Sequence, residues 1–287
     1  MKVLVLGSTG LLGQSLLKNL KKHNLDTLGL ARKNADVNID VQNDNELIST
    51  LTQYNPNVVI NTIAIVDNKF CESHPDKAYL INTRPVAILA DWAKENSTYF
   101  IQISTDHFYS GDKNKKHNEE DKITIVNEYA RTKFLAEKLT LLNENAAIIR
   151  TNIVGFRNQA QPTFLEWALN SLKNNDKINL FNDYFTSSIH TEQLSKILID
   201  LIKLKPAGIF NIAAREPSSK EDFILTLSKK FNINFNNYTS IGITDSNLSK
   251  RAESLGLDTS KIENLLGYKM PSMQDVIDDI FLEYNKK

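Results

Sequence analysis

The sequence lacks an excess of charge of either sign. Lysine plus arginine and aspartate plus glutamate each number 34, so the formal net charge is zero. A chain with this balance has no strong overall attraction for nucleic acid or for an anionic membrane, and we expect a small-molecule partner instead. The single cysteine, Cys71, cannot form an internal disulfide, which fits a reducing cytoplasm.

Long apolar runs are also missing, since none approaches the ~20 residues of a membrane-spanning helix. The first six residues are apolar behind one lysine, but Gly7 interrupts the run and no small-residue cleavage pattern follows. This segment therefore predicts a buried strand, and we expect a soluble, cytoplasmic protein. With 287 residues, the chain can form one large α/β domain or a cofactor-binding domain with a smaller partner.

Short apolar runs alternate with helical patterns through the first half of the chain. Buried strands are predicted at Val3–Leu6, Thr27–Leu30, Val58–Ile60, Tyr99–Ile103 and Ala147–Ile149. Amphipathic helices are predicted at Leu11–Leu20, Glu46–Gln53, Pro75–Lys94 and Tyr129–Leu142. A repeated strand and helix predicts right-handed βαβ units and an α/β fold with a Rossmann-type, doubly wound parallel sheet.

The alternation loosens beyond Arg150. The patterns there predict a helix at Pro162–Leu172, a helix at Ile197–Ile202, a strand at Gly208–Ile212 and a helical tail from Ser219 to Lys287. We therefore predict a dinucleotide-binding domain at 1–150, to which 184–212 return, and a smaller interleaved substrate domain formed by 151–183 and 213–287.

A glycine turn directly follows the first strand and opens the first helix. Gly7 permits a tight turn, Gly10 lets the backbone approach a pyrophosphate, and Gly13 allows the helix to pack closely on the sheet. The helix N-terminus offers N–H groups and a positive dipole end to the phosphates. The predicted phosphate-binding segment comprises Gly7, Thr9, Gly10, Leu11, Leu12 and Gly13.

The residue after the second strand favours one nicotinamide cofactor. A carboxylate there would accept from the ribose 2′-hydroxyl of NAD, but the sequence has Arg32. A guanidinium can pair with a 2′-phosphate through charge-assisted hydrogen bonds. Arg32 therefore favours NADPH, with NADH left open, and the alternative is a solvated arginine at a strand end.

Tyr129 and Lys133 are four residues apart, so on a helix they share a face. A neighbouring ammonium favours the phenolate form of a tyrosine, whose pKa is otherwise about 10, and so brings the phenol closer to a useful range for proton transfer. Thr105 follows the strand at Tyr99–Ile103, at the sheet edge where doubly wound folds bind ligands. Ser104 is the rival hydroxyl, and strand alternation points the two side chains in opposite directions.

These motifs occur in an order that resembles an extended short-chain dehydrogenase/reductase. The narrower resemblance is to the dTDP-4-dehydrorhamnose reductase branch, and it spans nearly the whole chain. It is carried by the glycine turn and by Asn61–Ala64, Val66–Asp67, Cys71–Ser73, Asn82, Ile103–Asp106, Tyr129–Lys133, Arg150–Thr151, Phe210–Ile212 and Leu257–Lys261.

The resemblance implies a role for each matching residue. Tyr129 protonates the substrate carbonyl, Thr105 hydrogen-bonds it, and Lys133 also binds the nicotinamide ribose. Asn61 and Ala64 line the cofactor, and Asp40 with Val41 lies near its adenine. The residues assigned to the substrate are Asp67, Thr105, Asp106, Asn152 and Arg251, the last as a contact to the diphosphate or simply a surface arginine.

Several positions depart from the pattern of that branch. A tryptophan that commonly follows the Arg-Thr segment is replaced by Asn152-Ile153, and Tyr184–Ser188 replaces a Gly-x-Pro-Thr segment. Some members use a glutamate after the third glycine for a magnesium-linked dimer, but this chain has Ser15, and we predict no metal site. The identity of the substrate sugar is therefore left open. Whether the protein forms a homodimer is left open as well.

Together these features predict an NADPH-dependent reductase acting on the keto group of a nucleotide-linked 4-keto-6-deoxysugar, as in polysaccharide biosynthesis. One alternative is a sugar-nucleotide epimerase or dehydratase that returns the hydride to its substrate. A dehydratase is disfavoured because His107 follows Asp106, where related sugar-nucleotide dehydratases have a glutamate. The other alternative is a regulatory subunit that binds a dinucleotide without catalysis.

Overall fold

The computed structural model describes residues 1–109, 115–157, 159, 161–243 and 254–286. The chain divides into two compact units that are each assembled from separate stretches of sequence. The first unit contains residues 1–105, 125–150 and 195–210, and the second contains residues 106–124, 151–194 and 211–287.

The first unit is built on a seven-stranded sheet. Its strands, numbered along the whole chain, are β1 (Lys2–Leu6), β2 (Asp26–Ala31), β3 (Val37–Asn38), β4 (Val58–Asn61), β5 (Tyr99–Ile103), β7 (Ala146–Arg150) and β12 (Gly208–Asn211). They lie in the order β12-β7-β5-β4-β1-β2-β3, and the pairs from β7 through β3 are parallel. The helices are α1 (Leu11–Lys22), α2 (Asp44–Tyr54), α3 (Asn68–Ser73), α4 (Pro75–Asn82), α5 (Arg84–Glu95), α6 (Glu128–Thr140) and α8 (Thr191–Leu204).

In its described residues, the second unit combines short strands with helices. Its strands are β6 (Lys116–His117), β8 (Ile153–Val154), β9 (Ile178–Phe181), β10 (Phe185–Thr186), β11 (Ile189–His190), β13 (Ser218–Ser219), β14 (Tyr238–Ile241) and β15 (Ser254–Leu257). They form a four-stranded sheet, β13-β10-β15-β6, and the pairs β11-β8 and β14-β9. The helices are α7 (Phe164–Asn174), α9 (Lys220–Lys230), α10 (Ser260–Leu266) and α11 (Met273–Tyr284).

The central strands are apolar because both faces of the sheet are covered. β4, β5 and β7 are buried at every position, as expected for parallel strands between layers of helices. Leu4, Leu6, Phe100 and Leu89 belong to one core cluster and are fully buried, each burial contributing about 1.5–3 kcal/mol. The predicted α/β class with a doubly wound parallel sheet is confirmed.

Two predictions of secondary structure were wrong. The helix expected over Pro75–Lys94 is divided into α4 and α5 at Thr83, because Pro85 lies in the first turn of α5 and a proline there cannot continue the preceding helix. The tail expected to be helical from Ser219 contains β14 and β15 between its helices. The isoleucines and leucines of those strands pair with other strands, and periodicity alone does not separate this arrangement from a buried helix.

The boundaries of the two compact units differ in places from those of the predicted domains. Residues 106–124, expected in the first domain, group with the second unit, and within the predicted returning segment it is 195–210 that group with the first unit. Among the described residues, no helix is both long enough and apolar enough to cross a membrane.

Candidate active site

The glycine turn between β1 and α1 leaves no room for side chains. Gly7 adopts φ +78°, and a Cβ atom there would lie 2.5 Å from Thr62 Oγ1. A Cβ atom on Gly13 would lie 2.2 Å from the carbonyl oxygen of Gly7, and one on Gly10 would lie 3.0 Å from the same oxygen. The turn therefore needs glycine both for its left-handed backbone and for the close approach of α1.

The N-terminus of α1 fits an anionic group. Its N-cap, Gly10, provides no side-chain hydrogen bond, and the first turn contains no acidic residue. The first N–H groups of a helix lack intrahelical partners, and its dipole favours negative charge. Ser8 in the turn is 3% exposed, and its Oγ has no hydrogen-bond partner within the described structure. These features fit a bound pyrophosphate.

The remaining predicted residues on the adenine side lie along the ends of β2 and β3. Arg32 is exposed directly after β2, so its guanidinium is accessible to a ligand. Asp40 is also exposed, but its carboxylate accepts the backbone N–H of Gln42 at 3.0 Å and so closes a local turn. Val41 is buried among core side chains. Of these three residues, Arg32 has the side chain best suited to bind a phosphate.

A chain of buried hydrogen bonds links β4 to α6. The Asn61 amide donates to Gln102 Oε1 at 2.9 Å, and the Gln102 amide donates to the carbonyl oxygen of Ile103 at 2.8 Å. Lys133 Nζ donates to the same carbonyl at 2.6 Å. Asn61 and Lys133, which the sequence assigned to one site, are therefore joined through the end of β5. Ala64 follows in a half-buried loop.

Lys133 is 2% exposed. Burial lowers the pKa of its ammonium from 10.5 to about 8, and the negative charge of Glu137 partly opposes that change. A lysine in this range can hold or release its proton near neutral pH, which is typical of active-site lysines.

Tyr129 lies one helical turn before Lys133 on the buried face of α6. Its ring is 8% exposed and packs with Cys71, Ala78 and Ile65. The side chain of Asn127 caps the helix by accepting the Ala130 N–H at 2.8 Å, which fixes the turn that carries Tyr129.

The two hydroxyl residues after β5 differ in environment. Ser104 Oγ donates to Glu137 Oε1 at 2.6 Å, so its hydroxyl is committed to α6. Thr105 is the next residue and is 3% exposed. The Ser104 hydroxyl is therefore engaged in a hydrogen bond within the first unit.

In the second unit, two predicted substrate residues contact each other. Asn152 Nδ2 donates to Asp106 Oδ2 at 2.9 Å, and Asn152 Oδ1 accepts from Ser188 Oγ at 2.8 Å. Ser188 also lies 3.1 Å from Thr186 Oγ1. The segment that departs from the related enzymes thus joins the polar group around Asn152.

Two other residues, Asp67 and Arg251, were predicted to contact the substrate. Asp67 is exposed and caps α3 by accepting the Phe70 N–H at 3.1 Å, so this contact is structural. Arg251 lies outside the described residues.

Sequence reasoning missed three buried polar residues at this site: Gln102, Glu137 and Arg150 in its ion-pairing role. Glu137 Oε2 accepts from an Arg150 terminal nitrogen at 2.8 Å, and both side chains are 2% exposed. The sequence did contain one signal for Glu137, because a carboxylate one helical turn beyond Lys133 lies on a helix face that also carries apolar residues. Among the described residues, no group of three or more His, Cys, Asp or Glu side chains could hold a metal ion.

A glycine turn at the head of a parallel sheet, together with a buried tyrosine and lysine on one helix face, defines a Rossmann-type protein of the extended short-chain dehydrogenase/reductase class. The chain belongs to the family described as RmlD substrate binding domain, whose profile matches residues 1–286.

Relatives of similar length carry two kinds of name. A probable low-salt glycan biosynthesis reductase of Haloferax volcanii is 24% identical, and the alignment covers 96% of this chain and 95% of that protein. The methionine adenosyltransferase 2 subunit beta of Mus musculus is 26% identical over 94% of this chain and 84% of that protein. A crystal structure of a dTDP-4-dehydrorhamnose reductase from Clostridium acetobutylicum has a TM-score of 0.89, with 25% identity over 99% of this chain and 100% of the other.

Proposed function

We propose that this protein is a cytoplasmic, NADPH-dependent reductase that converts the keto group of a nucleotide-linked 4-keto-6-deoxysugar to an alcohol. The observation that carries the proposal is the pair formed by Tyr129 and the buried Lys133 on α6. The same unit contains the glycine turn after β1, which fits a pyrophosphate. Family membership and the reductase names of the H. volcanii and C. acetobutylicum proteins support the same reaction.

The proposed chemistry divides between a hydride and a proton. NADPH supplies the hydride to the carbonyl carbon when it is bound. The Tyr129 hydroxyl gives its proton to the carbonyl oxygen, and the resulting phenolate is stabilised by the Lys133 ammonium. Thr105 orients the carbonyl by donating a hydrogen bond to its oxygen. One hydride and one proton add across the C=O bond, and an alcohol and NADP⁺ are formed.

Cofactor binding is assigned to residues of the first unit. The turn at Gly7, Gly10 and Gly13 and the N-terminus of α1 hold the pyrophosphate, and Arg32 pairs with the 2′-phosphate. Asn61 and Ala64 line the nicotinamide side, and Lys133 binds its ribose. The exposure of Arg32 and the absence of an acidic residue in the first turn of α1 support this choice of NADPH.

The substrate sugar is assigned to the polar group around Asn152 in the second unit. Asp106 and Ser188 hold the Asn152 amide from either side, so this group offers both donors and acceptors to sugar hydroxyls. The group contains no indole ring because Ile153 stands where related enzymes have tryptophan. We therefore expect recognition by hydrogen bonds rather than by stacking at this position.

A panel of nucleotide-linked 4-keto sugars, assayed for NADPH and NADH oxidation with identification of the product, tests the proposal. We expect one member to give stoichiometric NADPH consumption and an alcohol product, with NADPH preferred to NADH. Turnover of a sugar without net cofactor consumption would indicate an epimerase or dehydratase instead.

A second function is favoured by the relationship to the methionine adenosyltransferase subunit, which is as similar as the reductase relative. In that reading the chain binds a dinucleotide and regulates another protein. Tight NADPH binding with no oxidation across the whole sugar panel would support it. The retained Thr105, Tyr129 and Lys133 favour catalysis.

A further inference from the structure

Glu137 occupies the same buried face of α6 as Tyr129 and Lys133, one helical turn beyond the lysine. Its carboxylate accepts three hydrogen bonds. Ser104 Oγ donates at 2.6 Å, and Arg150 donates through Nε at 3.0 Å and through a terminal nitrogen at 2.8 Å. The donors come from the ends of β5 and β7, so one carboxylate ties two adjacent strands to the helix.

The position of Ser104 gives these bonds a consequence for the reaction. Ser104 immediately precedes Thr105, and its backbone N–H donates to the Ile149 carbonyl at 2.7 Å. The Ser104 side chain and backbone are therefore held by α6 and β7 respectively. This arrangement fixes the strand end that presents Thr105 relative to the helix that presents Tyr129.

The charges around Lys133 are unbalanced without Glu137. Lys133 and Arg150 are 2% and 1% exposed, and Glu137 is also 1% exposed. A buried charge is costly unless an opposite charge and hydrogen bonds accompany it. Glu137 is the negative charge that opposes the cost of burying the Lys133 ammonium, and it also pairs with the Arg150 guanidinium.

The neighbouring helices α3, α4 and α5 do not supply another buried anion. The thiol of Cys71 on α3 is kept neutral because burial raises its pKa to about 11. The side chains of Asn82 and Thr83, between α4 and α5, are uncharged and bond to Thr132. Arg84 on α5 is half-buried. The other acidic and basic residues of α3, α4 and α5 are exposed: Lys69, Glu72, Asp76, Lys77, Asp91, Lys94 and Glu95.

We propose that Glu137 is a positioning residue of the active site: it fixes the Thr105 strand end against the Tyr129 helix, and its negative charge keeps Lys133 in the ammonium form that the reaction needs. This inference rests on the proposed function, but its electrostatic part concerns the cofactor-free protein.

The charge is tested by Glu137→Gln, which keeps the shape of the side chain. The readout is an NMR titration of the Lys133 side chain in cofactor-free protein, with the signal assigned by its loss in Lys133→Arg. Removing the negative charge makes the ammonium less favourable, so we expect the midpoint to fall by about one pH unit or more, equivalent to a tenfold weaker hold on the proton. An unchanged midpoint would overturn the proposal.

Position is tested by Ser104→Ala, which removes one bond and leaves the Glu137 charge in place. We expect the Lys133 midpoint to stay within about 0.3 pH units of wild type, while kcat falls roughly fivefold to tenfold and NADPH affinity is unchanged. Wild-type kcat in this variant would contradict the positioning role. This variant also carries the test if Glu137→Gln does not fold.

Asp44→Asn is the matched control, because Asp44 also pairs with an arginine, Arg84, in the same unit. We expect it to leave both the titration and kcat unchanged. In Glu137→Gln, the alkaline limit of kcat should move to lower pH together with the Lys133 midpoint. If wild type turns over no sugar, the proposed function fails while the NMR titration still decides the role of the Glu137 charge.

Discussion

The glycines of the turn between β1 and α1 differ in how tightly their surroundings constrain them. Gly13 is the most constrained, since a Cβ atom would lie 2.2 Å from the Gly7 carbonyl oxygen and 2.7 Å from Ser8 Cα. Both neighbours are backbone atoms, which cannot move aside as a flexible side chain can. The conformation of this turn is therefore defined by excluded volume as much as by hydrogen bonds.

We expect Gly13→Ala to lower the free energy of unfolding by about 1–3 kcal/mol, because α1 must move away from the sheet. NADPH affinity, measured by fluorescence titration, should fall at least about 100-fold, the loss expected when a preformed phosphate site is displaced. The control is Gly267→Ala, where φ is +75° but a Cβ atom meets nothing within 4 Å. It should cost about 1 kcal/mol of stability and leave NADPH binding unchanged.

Lys133 is placed where its charge is costly for folding. Burial lowers its pKa to about 8 in the folded protein, against an ordinary value of 10.5. The unfolded chain therefore holds the proton more tightly. The cost is fully present below pH 8 and disappears as the pH rises to 10.5, and this difference corresponds to about 3 kcal/mol.

Lys133→Met should remove that cost. We expect the stability gained by this substitution, measured by urea denaturation, to be about 3 kcal/mol larger at pH 7 than at pH 10.5. Lys138→Met, on the exposed side of the same helix, is the control and should show no such dependence. A Lys133→Met difference that is constant from pH 7 to 10.5 would show that burial does not oppose the lysine charge.

At the scale of elements, the sequence predicts the strands better than the helix boundaries. The five strands predicted in the first half are present, because a continuous apolar run between polar loops has few alternatives in a parallel sheet. The single helix predicted over Pro75–Lys94 is two helices. Side-chain hydrogen bonds hold the junction between them, and apolar periodicity does not reveal such bonds. Asn82 is 1% exposed and bonds to Ile65 and Thr132, and Thr83 Oγ1 donates to the Thr132 carbonyl.

We expect Asn82→Leu, a substitution of similar size, to lower the free energy of unfolding by about 2–4 kcal/mol, because it removes the acceptor of the Ile65 N–H and the donor to the Ile65 carbonyl and to Thr132 Oγ1. Urea denaturation measures the change. Asn96→Leu is the control, since Asn96 is exposed and its amide donates to Trp92 within the same helix end. It should lower the free energy of unfolding by less than about 1 kcal/mol. An equal loss in both variants would show that the hydrogen bonds of Asn82 at the junction contribute no more to stability than those of an exposed asparagine.

At the scale of the whole molecule, the fold class followed from the sequence because glycine, strand and helix patterns agree over the first half. The second half was harder to predict. Strands of two to four residues, such as β10 and β15, are held by pairing with distant segments, and short apolar runs do not specify such partners.

The candidate site was predictable where residues close in sequence form one local motif, as for Tyr129, Lys133 and the glycine turn. Glu137 was not, because its role depends on Ser104 and Arg150, which are distant in sequence and meet only in the folded chain. Asn152 and Asp106 were predicted from the resemblance, whereas the contact of Asn152 with Ser188 required the structure.

The central claim is that Tyr129 donates the proton in an NADPH-dependent reduction, and Tyr129→Phe tests it most directly. The ring and its packing against Cys71 and Ala78 are retained, so NADPH affinity and stability should change little. With the sugar nucleotide identified by the panel, we expect the rate of NADPH oxidation to fall at least about 100-fold, the usual contribution of a general acid. An unchanged rate with the same substrate would contradict the account.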